Sequence, residues 1–534
     1  MKKAVIIGSG IAGIASAIRL QNKGYSVQIL EKNDYPGGKI TQLTSNGFRF
    51  DAGPSLFTMP NLVTELFEIC GKKTSDYFNY DRLNILCNYF YEDGTKISAN
   101  SDIPTFAKEM SEKTCDSAES VKKHLEKSAY IYGATEEQFL NKSLHKISSF
   151  LSFSTLISIF KLPFLKIFSS MNQVNEKAFK DSKTIKIFNR YATYNGSNPY
   201  KAPGILNIIP HLEFGLGAYL PKGGMHEITN SLVQLAKEIG VKFHFNTEVT
   251  AIKTIDNLAK SVQTKSDNFK ADIVICNADI HTVYEKLLPS VKKLKKVDAQ
   301  ERSSSALIFY WGIGKEFPEL DVHNIMFTED YKTEFKHLFE SKDIYKDPTI
   351  YINISSKHIK GDAPKGKENW FVMINVPSIY DQDWDKMIAK AKENILMKIS
   401  KVLGEDIENL IEFEEQLTPQ LIQDKTNSSK GEWDSMVKVL GDSAGYKLKS
   451  KFGWEKYVYE DISGNGDNSS GFNALPGGMF HNGYFSDLYK RGHWWTSSHL
   501  MDKNAFDRFV SVSNKIGWVL GGRESGMTVR VVKD

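Results

Sequence analysis

At 534 residues, 41% hydrophobic and 25% charged, the chain is long enough for more than one folded domain and too apolar for wholesale disorder. A formal net charge of +4 is near balance for this length; with no helix-turn-helix or zinc-finger spacing, nucleic acid is set aside as a partner. The four cysteines, Cys70, Cys87, Cys115 and Cys276, are far apart and form no CxxC pair, so neither a disulfide framework nor a metal site is expected.

The predicted elements begin with Ala4–Ile7, an all-apolar run suited to a central parallel strand covered on both faces. Two lysines precede it, but glycines stop the run far short of an export signal, and a cytoplasmic enzyme body is expected. Gly8-Ser9-Gly10-Ile11-Ala12-Gly13 then opens an alanine-rich helix to about Lys23, and a second strand, Ser26–Leu30, ends in Glu31. Strand, glycine turn, helix, strand and acid in this order are the fingerprint of a Rossmann-type dinucleotide site. Gly8 permits the tight turn, Gly10 lets backbone approach a pyrophosphate at the positive end of the helix, and Gly13 lets helix and strand pack closely. Glu31 is placed to accept hydrogen bonds from the adenosine ribose, and its charge would repel a 2′-phosphate, which disfavours NADP.

Gly37-Gly38-Lys39 follows, and then Gly47-Phe48-Arg49-Phe50-Asp51-Ala52-Gly53-Pro54. Here the chain resembles the flavin amine oxidase and phytoene desaturase superfamily. The resemblance implies that Gly38 and Lys39 continue the cofactor loop around FAD and that the Asp-x-Gly-Pro segment, with Pro54, lies near the flavin. Further along, Ser231–Glu238 reads as a helix ended by Gly240, followed by strands at Val241–Phe245 and Ala271–Cys276. By the same resemblance Val249 packs beside the adenine, and Asn277 and Ala278 close on the nucleotide. An ordinary strand and turn would use the same residues.

The block Asn195–Pro203, with Gly217–Met225 after it, resembles bacterial carotenoid desaturases of the phytoene desaturase family and speaks against an amine oxidase. Within that family it is most similar to enzymes that introduce a 3,4 double bond into hydroxylated acyclic carotenoids. The resemblance implies an apolar polyene substrate, hydride transfer to flavin, and oxygen or a quinone as final acceptor. A carotenoid isomerase, a saturase and a flavin amine oxidase are the alternatives. No acid–base pair stands out, so no catalytic residue is assigned; His211 and Glu213 read as a structural histidine and a surface glutamate.

Ser148–Phe168 is dense in Phe, Ile and Leu but interrupted by Lys161, Pro163 and Lys166. That makes a poor transmembrane helix and suits a segment resting at the bilayer interface, where a hydrocarbon substrate resides. A pair of buried helices would have the same composition. Ala306–Trp311, Thr349–Ile354 and Trp370–Val376 read as strands of a sheet around the substrate.

The desaturase resemblance runs through Leu417-Thr418-Pro419 and stops near Lys430. Enzymes of that family end with a strand, a Gly-rich turn carrying a histidine and prolines, and a helix that completes the FAD pocket; no such stretch follows here. Residues 432–534 are instead rich in glycine and carry five of the eight tryptophans. Gly471-Phe472, Leu475-Pro476-Gly477-Gly478, Trp494-Trp495, Ser525-Gly526 and Val529-Arg530-Val531 resemble the Fibrobacter succinogenes major paralogous domain, a module of surface proteins with a suggested glycan-binding relationship. A fusion with altered function, a degenerate product and an inactive chimera all remain open. The expected organisation is an α/β fold. An FAD-binding Rossmann-type domain comes from 1–95 and 221–300, with a helical, membrane-facing substrate region at 96–220 and a mixed-sheet substrate domain at 301–430. A separate, mostly β module follows at 432–534. The expected location is peripheral, on the inner face of the cell membrane.

Overall fold

The computed structural model describes residues 1–135, 169–256, 258–289, 291 and 301–432, together with strands between 479 and 527. The apolar segment Ser148–Phe168 and the stretch 433–478 lie outside the described residues. The chain divides into two compact units, one of Met1–Ile131, Leu165–Lys292 and Glu301–Met436, the other of Tyr132–Phe164, Lys293–Gln300 and Val437–Asp534.

In the first unit, strand β1 (Lys3–Ile7) pairs in parallel with β2 (Ser26–Leu30) on one side and with Ile273–Cys276 on the other; Lys242–His244 adds beyond β2, also parallel. The apolar run of β1 has a simple cause. Ala4 and Ile6 face helix α1 (Ile11–Asn22) and the helix His226–Glu238, while Val5 and Ile7 face Ile252 and Val262 of the hairpin Val249–Ile255/Leu258–Thr264. With both faces covered, each position on the strand must be apolar.

A seven-stranded sheet forms the other half of this unit, in the order Ile411–Leu417, Ser305–Ile313, Glu368–Val376, Ile350–Asn353, His323–Met326, Ile85–Phe90, Lys96–Asn100. Neighbours are antiparallel except His323–Met326 with Ile85–Phe90. The three strands expected from the sequence are its centre. Leu307, Phe309, Trp311, Val372 and Ile374 point to the long helix Trp384–Leu403, which lays Ala391, Ile395 and Ile399 against them. Ala306, Ile308, Tyr310 and Phe371 point the other way, onto Phe48 and Phe50 of the hairpin Gln42–Ser45/Phe48–Asp51. That inner face continues into a cluster around Leu86, Tyr89, Phe188 and Tyr191, built with the helices Ile103–Lys113, Met171–Ala178 and Ser182–Asn189.

In the second unit, Met479–His481 pairs with Tyr484–Ser486 and Gly526–Met527, and Asn504–Ser511 lies between Arg491–Met501 and Ile516–Gly522, all antiparallel. Trp494 and Trp495 are on the longest of these strands. Among the described residues, no helix is long and apolar enough to cross a membrane.

Candidate nucleotide-cofactor site

The loops that follow β1, β2 and Ile273–Cys276 converge at the carboxyl ends of those strands. The Gly8 N–H donates to the Leu30 carbonyl at 2.8 Å, and the Asn277 N–H donates to the Ile7 carbonyl at 2.9 Å. At Gly13, glycine is demanded by space. A Cβ on Gly13 would lie 2.2 Å from the Gly8 carbonyl oxygen, and one on Gly10 would lie 2.9 Å from Asn277 Nδ2. Helix α1 starts at Gly10 with no side-chain cap and no acidic residue in its first turn. Ala12 and Asn277 are exposed at this end. The first N–H groups of the helix and its positive dipole end are therefore available to an anion.

Glu31 closes one side of this cradle. The residue is 6% exposed, and its carboxylate accepts the Ser9 N–H and hydroxyl, each at 2.8 Å, and the Asn33 N–H at 3.0 Å. Of about four lone-pair sites on a carboxylate, that leaves one for a further donor. The Thr247 N–H donates to the Glu31 carbonyl at 2.7 Å, which brings half-buried Val249 to the same side, packed with Ile7, Leu30 and Cys276.

The second glycine loop stacks on the first. Gly37 N–H donates to the Ser9 carbonyl at 2.9 Å, and Gly37 bridges Gly10 in parallel. Gly38 and Lys39 follow, and Ala52 N–H donates to the Thr41 carbonyl at 2.9 Å, carrying Gly53 and exposed Pro54 to this rim. The structure thus brings Gly8, Gly10, Gly13, Gly38, Lys39 and Asn277 together, with Glu31 and Val249 on one flank and Pro54 on the other. A backbone-lined cradle, an uncapped helix and an acid with room for one more donor fit a dinucleotide whose ribose carries free hydroxyls.

Three polar groups around the site escaped the sequence reading. Arg49 donates to Asp51 at 2.7 Å and to Asp362 at 2.8 Å, while Asp51 accepts the Met225 N–H at 2.9 Å. This accounts for the Pro-Lys-Gly-Gly-Met turn, because a Cβ on Gly224 would lie 1.9 Å from the Arg49 guanidinium. Burial raises the Asp362 carboxyl above its ordinary pKa, and Arg49 opposes that shift. At the other rim, buried Glu432 pairs with Arg302 at 3.0 Å, its carbonyl accepts from Lys39 Nζ at 3.1 Å, and Arg302 Nη2 lies 2.9 Å from His281 Nδ1. Burial pushes the Glu432 carboxyl up to about 7, against the pull of Arg302.

The third group is a correction. Glu213 is 2% exposed, because the helix Ile209–Phe214 turns it inward to Arg190 at 2.9 Å. Tyr191 and Tyr194 donate to the same carboxylate, and Arg190 Nε donates to Tyr89 at 2.8 Å, so both members of a buried charge pair have further hydrogen-bond partners. His211, half-buried on the same helix, packs its ring against Gly215.

Comparison with known proteins agrees with this geometry. The family described as flavin containing amine oxidoreductase matches residues 11–311, more than half of the chain. A "1-hydroxycarotenoid 3,4-desaturase" of Flavobacterium sp. (strain P99-3) is 50% identical over 431 residues, covering 81% of this chain and 88% of that protein. A "4,4′-diapolycopene oxygenase" of Methylomonas sp. is 32% identical over 458 residues, covering 84% of this chain and 91% of that protein. Among solved structures, an oxidoreductase from Methanosarcina mazei shares the fold, with a TM-score of 0.53 at 16% identity over 78% of this chain and 87% of that one.

Proposed function

Since the chain belongs to the flavin-containing amine oxidoreductases, in their FAD-dependent carotenoid desaturase branch, we propose that it introduces a 3,4 double bond into a hydroxylated acyclic carotenoid. The 50% likeness to the Flavobacterium relative carries this choice of substrate. The architecture supports the class of reaction. A backbone cradle for a dinucleotide passes through Pro54 directly into Ser55 and Leu56, and Leu56 packs on the apolar cluster beneath the seven-stranded sheet.

In this reading Gly8, Gly10, Gly13, Gly38, Lys39 and Asn277 hold the pyrophosphate and neighbouring groups of FAD, Glu31 holds the adenosine ribose, Val249 lies beside the adenine, and Pro54 borders the flavin. Bound FAD supplies the hydride acceptor. The protein's part is to lay the polyene along the apolar face, hold the bond to be oxidised against the cofactor, and keep water out. The proton that leaves the neighbouring carbon is made acidic by delocalisation of charge along the polyene, so a strong base is unnecessary. Oxygen or a quinone takes the electrons onward, and the substrate arrives from a membrane surface. We assign the cofactor domain to 1–95 and 221–300, apart from the strand Ile85–Phe90, which belongs to the seven-stranded sheet, and the substrate domain to 96–220 and 301–430. Residues 432–534 are read as a separate surface-type module, supported by their Gly- and Trp-rich composition.

The test is conversion of a 1-hydroxylated acyclic carotenoid, presented in liposomes with FAD, followed by chromatography and mass spectrometry. The expected product has lost two hydrogens and absorbs at longer wavelength. An isomer of unchanged mass, or a product that has gained hydrogen, overturns desaturation in favour of an isomerase or a saturase.

A further inference from the structure

Directly after Pro54 the chain buries a polar relay in apolar surroundings. Ser55 Oγ is 2.7 Å from Tyr351 Oη, which is 2.7 Å from His323 Nδ1. Along Ile350–Asn353, Ile350 and Ile352 point to the long-helix side of the sheet, and Tyr351 between them points to the inner face. There Tyr351 meets both apolar clusters, edge-on to Phe371 with ring centroids 6.2 Å apart. His323 lies on the neighbouring strand, paired with Asn353, and is 3% exposed.

The partners settle which ring nitrogen carries hydrogen. Asn353 Nδ2, which donates to the Val322 carbonyl at 3.0 Å, also approaches His323 Nδ1 at 3.3 Å. Asn353 Nδ2 can only donate, so its approach makes Nδ1 the acceptor and puts the hydrogen on Nε2, while the Tyr351 hydroxyl can take either role. Burial holds this ring neutral, with its pKa lowered to about 3. His323 Nε2 is buried and has no hydrogen-bond partner among the described residues. A buried donor without an acceptor is costly and calls for an explanation.

The reading above supplies one, and the inference rests on it. A 1-hydroxylated acyclic carotenoid carries one oxygen on an otherwise hydrocarbon chain, two carbon–carbon bonds from the bond oxidised. Whatever binds that oxygen must stand close to the flavin, and His323 is linked through Tyr351 to Ser55, the residue after Pro54, which borders the flavin in that reading. We propose that His323 Nε2 donates to the substrate hydroxyl, with Tyr351, Ser55 and Asn353 holding the ring in the required tautomer, so that this cluster selects the hydroxylated end of the polyene. His323 is then the contact residue and Tyr351, Ser55 and Asn353 are positioning residues.

The test uses full-length FAD-loaded protein, reduced anaerobically so that it binds without turnover. Affinity is measured for a 1-hydroxylated acyclic carotenoid and for the same polyene without the hydroxyl. The expected preference of the wild type is about tenfold or more, the size of one well-placed hydrogen bond. His323→Leu should bring the ratio near one, His323→Gln, which keeps an N–H, should restore part of it, and Tyr351→Phe should reduce it severalfold. Flavin absorbance and melting temperature identify any variant that fails to fold. Wild-type protein that binds both polyenes equally overturns the proposal whatever the variants do, and so does an unchanged ratio in folded His323→Leu. Product analysis of the oxidised enzyme separates the two claims. Equal desaturation of both polyenes with equal binding defeats hydroxyl selection and leaves the desaturase reading standing; selective binding without desaturation does the reverse.

Discussion

At the carboxyl edge of the parallel sheet, much of the site is made of main-chain atoms. Gly8, Gly13 and Gly37 are there so that backbone can approach backbone, and the Glu31 carboxylate is tied down by neighbours on the same loops. On the inner face of the seven-stranded sheet the polar groups are side chains brought from remote segments: Arg190 to Glu213, and Ser55 to Tyr351 to His323. A site made of backbone is written in the spacing of small residues. A site made of side chains is written in the topology, and only the folded chain reveals it.

The largest expected effect bears on the first region. Gly13→Ala places a methyl 2.2 Å from the Gly8 carbonyl oxygen, a clash with backbone that costs about 3 kcal/mol or more. The purified variant should be colourless, read as the flavin absorbance per chain. Full flavin content would show that the cradle has slack and break the contrast between the two regions.

The next effect bears on the second region. Glu213→Ala strands the buried Arg190 guanidinium, and urea unfolding should show a loss of about 3–5 kcal/mol. A much smaller loss would mean that Arg190 reaches water on losing its partner.

A third test returns to the carboxylate that flanks the cradle. Glu31→Ala leaves the Ser9 N–H and hydroxyl without their acceptor. FAD affinity, measured by flavin fluorescence titration, should fall about tenfold to a hundredfold, as for the loss of hydrogen bonds to a charged group.

The smallest effect is a pH slope at Glu432. Its folded-state pKa is raised to about 7, so between about 4.5 and about 7 the folded chain binds more protons than the unfolded one. This carboxyl's contribution to stability therefore falls as pH rises through that window. Glu432→Gln should flatten the wild-type slope in urea midpoints across that range; identical slopes would place the carboxyl in contact with water.

The same contrast explains what was legible in advance. Gly8 to Glu31 could be read because turn, helix and strand are contiguous, and Ala306–Trp311 and Trp370–Val376 because they are buried on both faces. The hairpin Ile85–Phe90/Lys96–Asn100 was not anticipated, since its place in the sheet depends on parallel pairing with His323–Met326, more than two hundred residues away. Glu213 read as a surface residue because nothing near it in the sequence marks Arg190 as its partner. His323 carries no motif at all; it gains meaning only where Asn353 and Tyr351 meet its ring.

The central claim is that this chain holds FAD in the cradle. The most direct measurement is the visible absorbance spectrum of purified full-length protein, with intact mass confirming that residues 431–534 are present. The account predicts flavin bands corresponding to one FAD per chain. A colourless protein that takes up no added FAD would contradict it.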